Sequence, residues 1–372
     1  MERFESTPRP DWRTTVESQG FLFHTHDEGP YWDESAYYSL SESEVEAIEI
    51  ATLALNDMCL QAVDHVVKHG LFSRFGVPAA FEEFVTRSWE SDSLTIYGRF
   101  DLAVRPGEPP RMLEYNADTP TALIEAAIIQ WYWMQDCFPG ADQFNSIHER
   151  LKEAWSTAVR RGVKVHFTSP GEFLEDYMTI TYLRDTAVQA GLNTDYVPIE
   201  SIGWNPASDF FLDQRDQEMT HVFKLYPWEW MFEERFGKHL IASNTAWLEA
   251  PWKVLLSSKA LLPLMHELFP DSPYLLEASH EPLDGACVRK PMQGREGANT
   301  AIIDDGVVVQ STEGPYNGPS IYQRYCELPR FDGFHPVIGS WMVNGHACGI
   351  GIREDSSPIT TNTSRFVPHI IE

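Results

Sequence analysis

At 372 residues the chain exceeds what one hydrophobic core usually serves, so two or more packed lobes are expected. A hydrophobic fraction of 43%, with 12 Trp, 14 Tyr and 21 Phe, supplies ample core and marks a globular protein. The 55 acidic against 28 basic residues give a net charge of −27, which repels phosphate backbones, argues against nucleic acid as a partner and favours cationic small molecules.

Five cysteines (Cys59, Cys137, Cys287, Cys326, Cys348) lie far apart without a CxxC pair. That spacing argues against a disulfide framework or a zinc site and for a reducing compartment. The N-terminus, MERFESTPRPDW, lacks the apolar core of a signal peptide. The richest apolar stretch, Thr121 to Met134, is interrupted by Glu125 and Gln130, so no membrane span is expected and a cytoplasmic location is.

Residues 1 to about 40 have no clear period and are expected to wrap the surface of a lobe. Ser41 and Glu44 have the spacing of a capping box, apolar positions follow at Val45, Ile48, Leu55, Cys59, Ala62 and Val66, and Gly70 closes one long amphipathic helix. Tyr97 to Thr121 reads as a strand carrying Gly98-Arg99-Phe100-Asp101, a Pro/Gly-rich loop, and a second strand from Met112 to Tyr115 leading to Asn116. Side chains alternate along a strand, so Arg99 and Asp101 point to one face of the first strand, and Glu114 and Asn116 to one face of the second. If the loop pairs the strands, a guanidinium, two carboxylates and a carboxamide converge, an oxygen-rich set suited to Mg²⁺. The same pattern also fits a solvated hairpin face with a surface ion pair. Thr119-Pro120 then looks like an N-cap with Pro at the first helical position, opening a helix through Trp133 whose N-terminus adds positive dipole beside an anion site.

Val163 to Thr168 as strand, Glu172 to Ala190 as helix and Thr194 to Ile199 as strand make a βαβ unit and predict a parallel sheet. Trp204 to Glu218 is a polar connection, and His221 to Trp228 resumes as strand. The cluster from Tyr226 to Phe232, with Glu229, either lines a pocket or belongs to the core. Trp252 to Met265 is apolar with two lysines, Lys253 and Lys259. Ala286 to Lys290 is a strand running into a loop with Gly294 and Gly297; Thr300 to Ile303 pairs with Val307 to Gln310, and Ile321 to Leu328 is a further strand. Val337 to Val343 and His346 to Arg353 form a hairpin about Asn344-Gly345. These strands predict an antiparallel C-terminal lobe. Lys290 before its Gly-rich loop suits a phosphate cradle, although the spacing is not that of a P-loop and a surface turn has the same composition.

The sets YGRFDLAV…MLEYNADTPT, PWKVLLSSKALLPL, VRKPMQGREGAN and GIGIREDSSPITTNTSRFVPHII occur in one order over nearly the whole chain. In this the chain resembles the glutathionylspermidine synthase family, in its branch of stand-alone acid–amine ligases. The resemblance implies an ATP-grasp-like α/β, α+β fold. Residues 1–160 would carry the metal and phosphate hairpin, 161–250 a βαβ pre-ATP-grasp-like unit, and 251–372 the nucleotide-binding lobe. It also implies ATP and two Mg²⁺ as cofactors, with metal ligands Asp101, Glu114 and Asn116 and nucleotide contacts from Arg99, Phe100, Asp101, Lys259, Lys290, Gly297 and Gln323. Arg99 and Arg353 would be catalytic, Lys253 is an alternative to Lys259, and Glu229 is a candidate base. The implied reaction joins a small acid to an amine, a peptide-like carboxylate and a polyamine among them, through an acyl phosphate. With no room for an amidase domain, cleavage of glutathionylspermidine is not expected. An amino-acid or peptide ligase on the same fold and a non-catalytic ATP-binding protein are the alternatives, since fold does not fix substrate.

Overall fold

The structure, a computed structural model, describes every residue except Glu28. The chain enters through β1 (Glu2–Glu5) and β2 (Ala36–Leu40), which pair antiparallel. Helix α1 (Glu42–His69) follows. The Glu44 N–H donates to the Ser41 hydroxyl while the Glu44 carboxylate accepts from the Ser41 N–H, and Gly70 ends the helix in the left-handed region. Its buried stripe from Val45 to Val66 repeats at helical spacing, so one face meets the core and the other solvent.

Strands β3 (Tyr97–Ala103) and β4 (Arg111–Asn116) form an antiparallel hairpin. The helix expected to open at Thr119-Pro120 starts three residues later, at Leu123. Ala122 has φ 64°, outside the helical region, so 119–122 is loop. Asp118 holds that loop, accepting from Lys224 Nζ at 2.5 Å and from the Trp228 N–H at 3.0 Å. A π-helical turn (Glu125–Ile129) precedes α2 (Gln130–Cys137).

Helix α3 (Ile147–Ala158) leads to β5 (Lys164–Thr168), α4 (Leu174–Gln189) and β6 (Asn193–Tyr196), with β5 and β6 parallel as their spacing predicts. The connection after β6 is not open throughout: Gly203–Asn205 and Phe210–Leu212 pair as a small hairpin. β7 (His221–Lys224) stops well short of Trp228, because Pro227 lacks the N–H a strand needs and α5 (Trp228–Glu233) begins directly after it. With β8 (Ala246–Leu248) these strands make a parallel sheet in the order β8-β7-β5-β6.

Two short apolar helices, α6 (Val254–Ser257) and α7 (Leu261–Leu268), precede β9 (Cys287–Pro291), β10 (Ala301–Asp304), β11 (Val307–Ser311) and β12 (Ser320–Arg324). With the short strand Ala278–Ser279 at the edge beside β12, they form an antiparallel sheet continuing β9, β10, β11; β12 ends short of the predicted Leu328.

The final hairpin, β13 (His335–Val343) and β14 (His346–Asp355), turns at Asn344 and Gly345, both at positive φ as a type I′ turn demands. A 251–372 lobe predicts that this hairpin joins the preceding sheet, and it does not. Instead β13 pairs with β3, giving the order β15 (Arg365–Val367), β14, β13, β3, β4. Burial explains this: adjacent residues Val337 and Ile338, and Trp341, Met342 and Val343, are all buried, and a strand apolar on both faces needs cover on both. The first and last expected segments therefore share one sheet. Residues 1–40 are likewise built in, with Trp32 and Tyr38 fully buried and the last strand, β16 (His369–Ile371), parallel to β2. No helix among the described residues is long and apolar enough to cross a membrane.

Candidate active site

Alternation along β3 and β4 decides what the site is made of. The register sets Arg99 opposite Asn116 and Asp101 opposite Glu114, so four polar side chains share one face. Phe100, between them, is turned into the core and stacks on Tyr115 with ring centroids 3.8 Å apart. Arg99 lies across β13 because Gly339, paired with Asp101, has no Cβ; one built there would come within 2.8 Å of Arg99 Cδ. The guanidinium donates through Nε to Asp101 Oδ1 (2.6 Å), through Nη2 to Asp101 Oδ2 (3.1 Å) and through Nη1 to the Thr121 carbonyl (2.6 Å). Arg353 Nη2, from β14, donates to Asp101 Oδ2 at 3.0 Å. Asn116 Nδ2 sits between Glu114 Oε1 (3.1 Å) and Asp101 Oδ2 (3.4 Å).

Two lysines face this patch from other elements. Lys259 Nζ lies 3.0 Å from Glu114 Oε2 and donates to the Gly294 carbonyl at 2.7 Å. Lys290 donates to Gln323 Oε1 (2.7 Å) and to the Leu113 carbonyl (2.9 Å), and Gln323 Nε2 donates to the Met112 carbonyl (3.0 Å), tying the antiparallel sheet to the hairpin. Burial alone would push the Glu114 carboxyl up; Lys259 and Lys290, with hydrogen bonds from Lys259 and Asn116, outweigh it and hold the group well below the usual carboxylate range. Burial brings Lys290 down to about 8, with Lys259 adding to the fall and Glu114 and Asp101 opposing it. Lys253 serves elsewhere: it is buried, pairs with Glu249 Oε2 at 2.6 Å and donates to the Tyr97 carbonyl at 2.6 Å.

These groups open into one cavity of about 480 Å³, lined by Arg99, Asp101, Glu114, Asn116, Lys259, Lys290, Gly297, Gln323 and Arg353. Phe100 and Lys253 do not line it. Gly297 has φ 66°, and a Cβ there would meet the Thr360 carbonyl oxygen at 2.2 Å, so its loop packs on the segment after β14 only as glycine. The facing wall is built by the segments leaving the carboxyl ends of β5 and β7, with Pro170, Phe173, Leu225 and Trp230, where open parallel sheets present ligand sites. None of residues 204–218 lines the cavity.

Several lining residues escape the sequence motifs. Arg295 donates to Thr119 Oγ1 (2.7 Å) and Glu229 Oε1 (2.6 Å), with its guanidinium 5.4 Å from the Trp230 ring centroid. Glu229 is thus committed to an ion pair and lies outside the main cavity. Two charged residues inside Gly294-Arg295-Glu296-Gly297 are the signal that could have found Arg295 and Glu296. Glu175 and Asp176, in the first turn of α4, carry no such signal, because acidic residues are common there in any helix. With Glu296 they make an acidic wall. Burial, then Glu175 and Glu296, push Asp176 up to about 7 against Arg295; burial and Glu175 also push Glu296 up. In the π-helical turn, burial and Glu175 raise Glu125 to about 7.

The chain also resembles known proteins along its whole length. The family model described as glutathionylspermidine synthase preATP-grasp matches residues 3–372. A Haemophilus influenzae chain whose name marks it as a candidate acid–amine ligase is 36% identical over 99% of both chains. Trypanothione synthetase of Crithidia fasciculata is 29% identical over 84% of this chain, and the bifunctional glutathionylspermidine synthetase/amidase of Escherichia coli 26% identical over 90%. This chain spans 53% and 59% of those two longer proteins. Among solved structures, a glutathione synthetase-like effector from Globodera pallida superimposes with a TM-score of 0.58 over 90% of this chain and 89% of its own, at 9% identity, a likeness of fold alone. With a family model matched end to end and a 36%-identical relative covered in full, the chain belongs to the glutathionylspermidine synthase family of carbon–nitrogen ligases.

Proposed function

We propose that the cavity is the active site of an ATP- and Mg²⁺-dependent acid–amine ligase that forms an amide through an acyl phosphate. The observation that carries this reading is the convergence of Arg99, Asp101, Glu114, Asn116, Lys259, Lys290, Gln323 and Arg353, drawn from five separate parts of the chain, on one cavity. We read the antiparallel sheet of β9 to β12 and the sheet of β15, β14, β13, β3 and β4 as the two halves of an ATP-grasp-like arrangement with the nucleotide between them.

Lys259 and Lys290 bind the phosphates, and the loop from Gly294 to Gly297 covers them with backbone N–H groups. Asp101 and Glu114 flank one carboxamide and, with Asn116 turned to present Oδ1, are an oxygen donor set that fits one or two Mg²⁺. Mg²⁺ held by Asp101, Glu114 and Asn116 would supply neutralisation of the phosphate charge. The substrate carboxylate oxygen attacks the γ-phosphorus as ADP leaves; the amine nitrogen then attacks the acyl carbon, and phosphate departs as the nitrogen loses its proton. Arg99 and Arg353 stabilise the transferring phosphoryl and the tetrahedral oxyanion, each such donor being worth about 3 to 4 kcal/mol.

The acid is a small peptide-like carboxylate and the amine a polyamine or similar cation. Glu175, Asp176 and Glu296 support the cationic amine, since they line the same cavity beside apolar Phe173 and Trp230 and can both hold the ammonium and accept its proton. A screen of acids crossed with amines, glutathione and spermidine among them, read by ADP release, tests the reading. ADP release that needs both partners and weakens with salt is expected for a polyamine. Release with neutral amino acids while spermidine and putrescine stay inert would remove the polyamine and keep the ligase.

A further inference from the structure

We propose that His166, Asp195 and Asp213 bind one divalent transition-metal ion of the zinc kind, joining β5 to β6 and to the loop after the Phe210–Leu212 strand. Each residue offers a ligand atom, and the three atoms lie within 4.8 Å of one another. None of the three lines the active-site cavity.

His166 points to a ligand independently of the carboxylates. It is 1% exposed, and neither ring nitrogen has a hydrogen-bond partner. Its Nε2 is 3.6 Å from Asp213 Oδ2, too far for a hydrogen bond and close enough for both atoms to reach one ion. The carboxylates are already oriented. Asp213 Oδ1 accepts from the Arg215 and Gln217 N–H groups (2.8 and 2.9 Å), leaving Oδ2 toward His166. Asp195 Oδ1 accepts from the Tyr196 N–H (3.0 Å), and its Oδ2 meets Lys164 Nζ at 3.0 Å and Arg215 Nη1 at 3.6 Å. Backbone bonds of this kind fix metal-binding carboxylates in place. Lys164 and Arg215 reach Asp195 on side chains 35% and 72% exposed, so both can swing into solvent when a dication takes their place. One imidazole nitrogen with two carboxylate oxygens suits Zn²⁺ or Co²⁺ better than Mg²⁺, which takes oxygens and water.

The test uses the full chain, dialysed against chelator and titrated with Co²⁺, and separately with Zn²⁺ while melting is followed. One equivalent of Co²⁺ should produce visible d–d absorption of low coordination number, and Zn²⁺ should raise the melting temperature. His166→Gln and Asp213→Asn should lose both signals. In the Asp213→Asn variant the amide oxygen still accepts both backbone N–H groups, so the loop is held without the carboxylate and the test stays valid if His166→Gln fails to fold. Glu114→Ala should retain both signals. No d–d absorption in the parent, bands that persist in Asp213→Asn, or bands lost in Glu114→Ala would each overturn the assignment.

Discussion

Arg353 and Asp101, 252 positions apart in sequence, share a hydrogen bond of 3.0 Å. Asp101 Oδ2 also takes Arg99, so two guanidinium groups meet on one carboxylate at the point where β3 and β14 flank β13. The pairing places both arginines at the same end of the cavity as the proposed metal ligands. Arg353→Ala should lower turnover about 100-fold or more, the usual scale for losing one transition-state donor, with nucleotide affinity nearly unchanged. Paired kinetics and calorimetric ATP titration check this; an equal loss of affinity would make Arg353 a ground-state contact.

Glu114 answers to Lys259 and, through charge, to Lys290, which hold it ionised. ATP with Mg²⁺ should raise the melting temperature of the parent by mass action. In Glu114→Ala that rise should largely vanish, since a ligand oxygen and the partner of Lys259 go together. An undiminished rise would sink the metal assignment.

The two lysines of WKVLLSSKALL should part company under mutation. Lys253→Ala leaves the buried Glu249 carboxylate without its cation, a change that typically costs about 3 to 5 kcal/mol, so it should act on stability. Lys259→Ala should melt close to the parent and lose ATP affinity instead. Denaturant melts beside ATP titrations of the two proteins separate the roles, and a reversed pattern would exchange them.

Burial sets the Lys290 ammonium near pH 8, against 10.5 for the free group. Below pH 8 the lysine is charged in both folded and unfolded chains and its burial opposes folding in full. Between 8 and 10.5 the unfolded chain holds the extra proton, so this group's contribution to stability rises with pH. Bound phosphates favour the charged form, and ATP binding at about pH 8.5 should therefore take up a proton. Calorimetry in buffers of different ionisation enthalpy reads that uptake, which should disappear in Lys290→Met; an unchanged slope in the variant would assign the proton to another group.

Much of this was legible in the sequence wherever the signal is local. The capping box at Ser41, the Asn344-Gly345 turn and the alternation through Arg99, Asp101, Glu114 and Asn116 all act within a few residues. What was not legible is long-range. Nothing near β13 says that it pairs with β3 rather than with the sheet before it; that choice follows from burial on both faces. The helix after Thr119-Pro120 begins late, with Ala122 at positive φ and Asp118 held by Lys224 from another sheet. Glu175 and Asp176 read as ordinary first-turn acids until the fold sets them in the same cavity as Glu114.

In the proposed reaction ATP cleavage passes through an acyl phosphate of the acid before amide formation. Transfer of ¹⁸O from a labelled carboxylate tests it most directly, using the acid and amine pair that gives the most ADP in the crossed screen. Each released phosphate should carry one labelled oxygen when product amide forms. Amide formation with unlabelled phosphate would contradict the account.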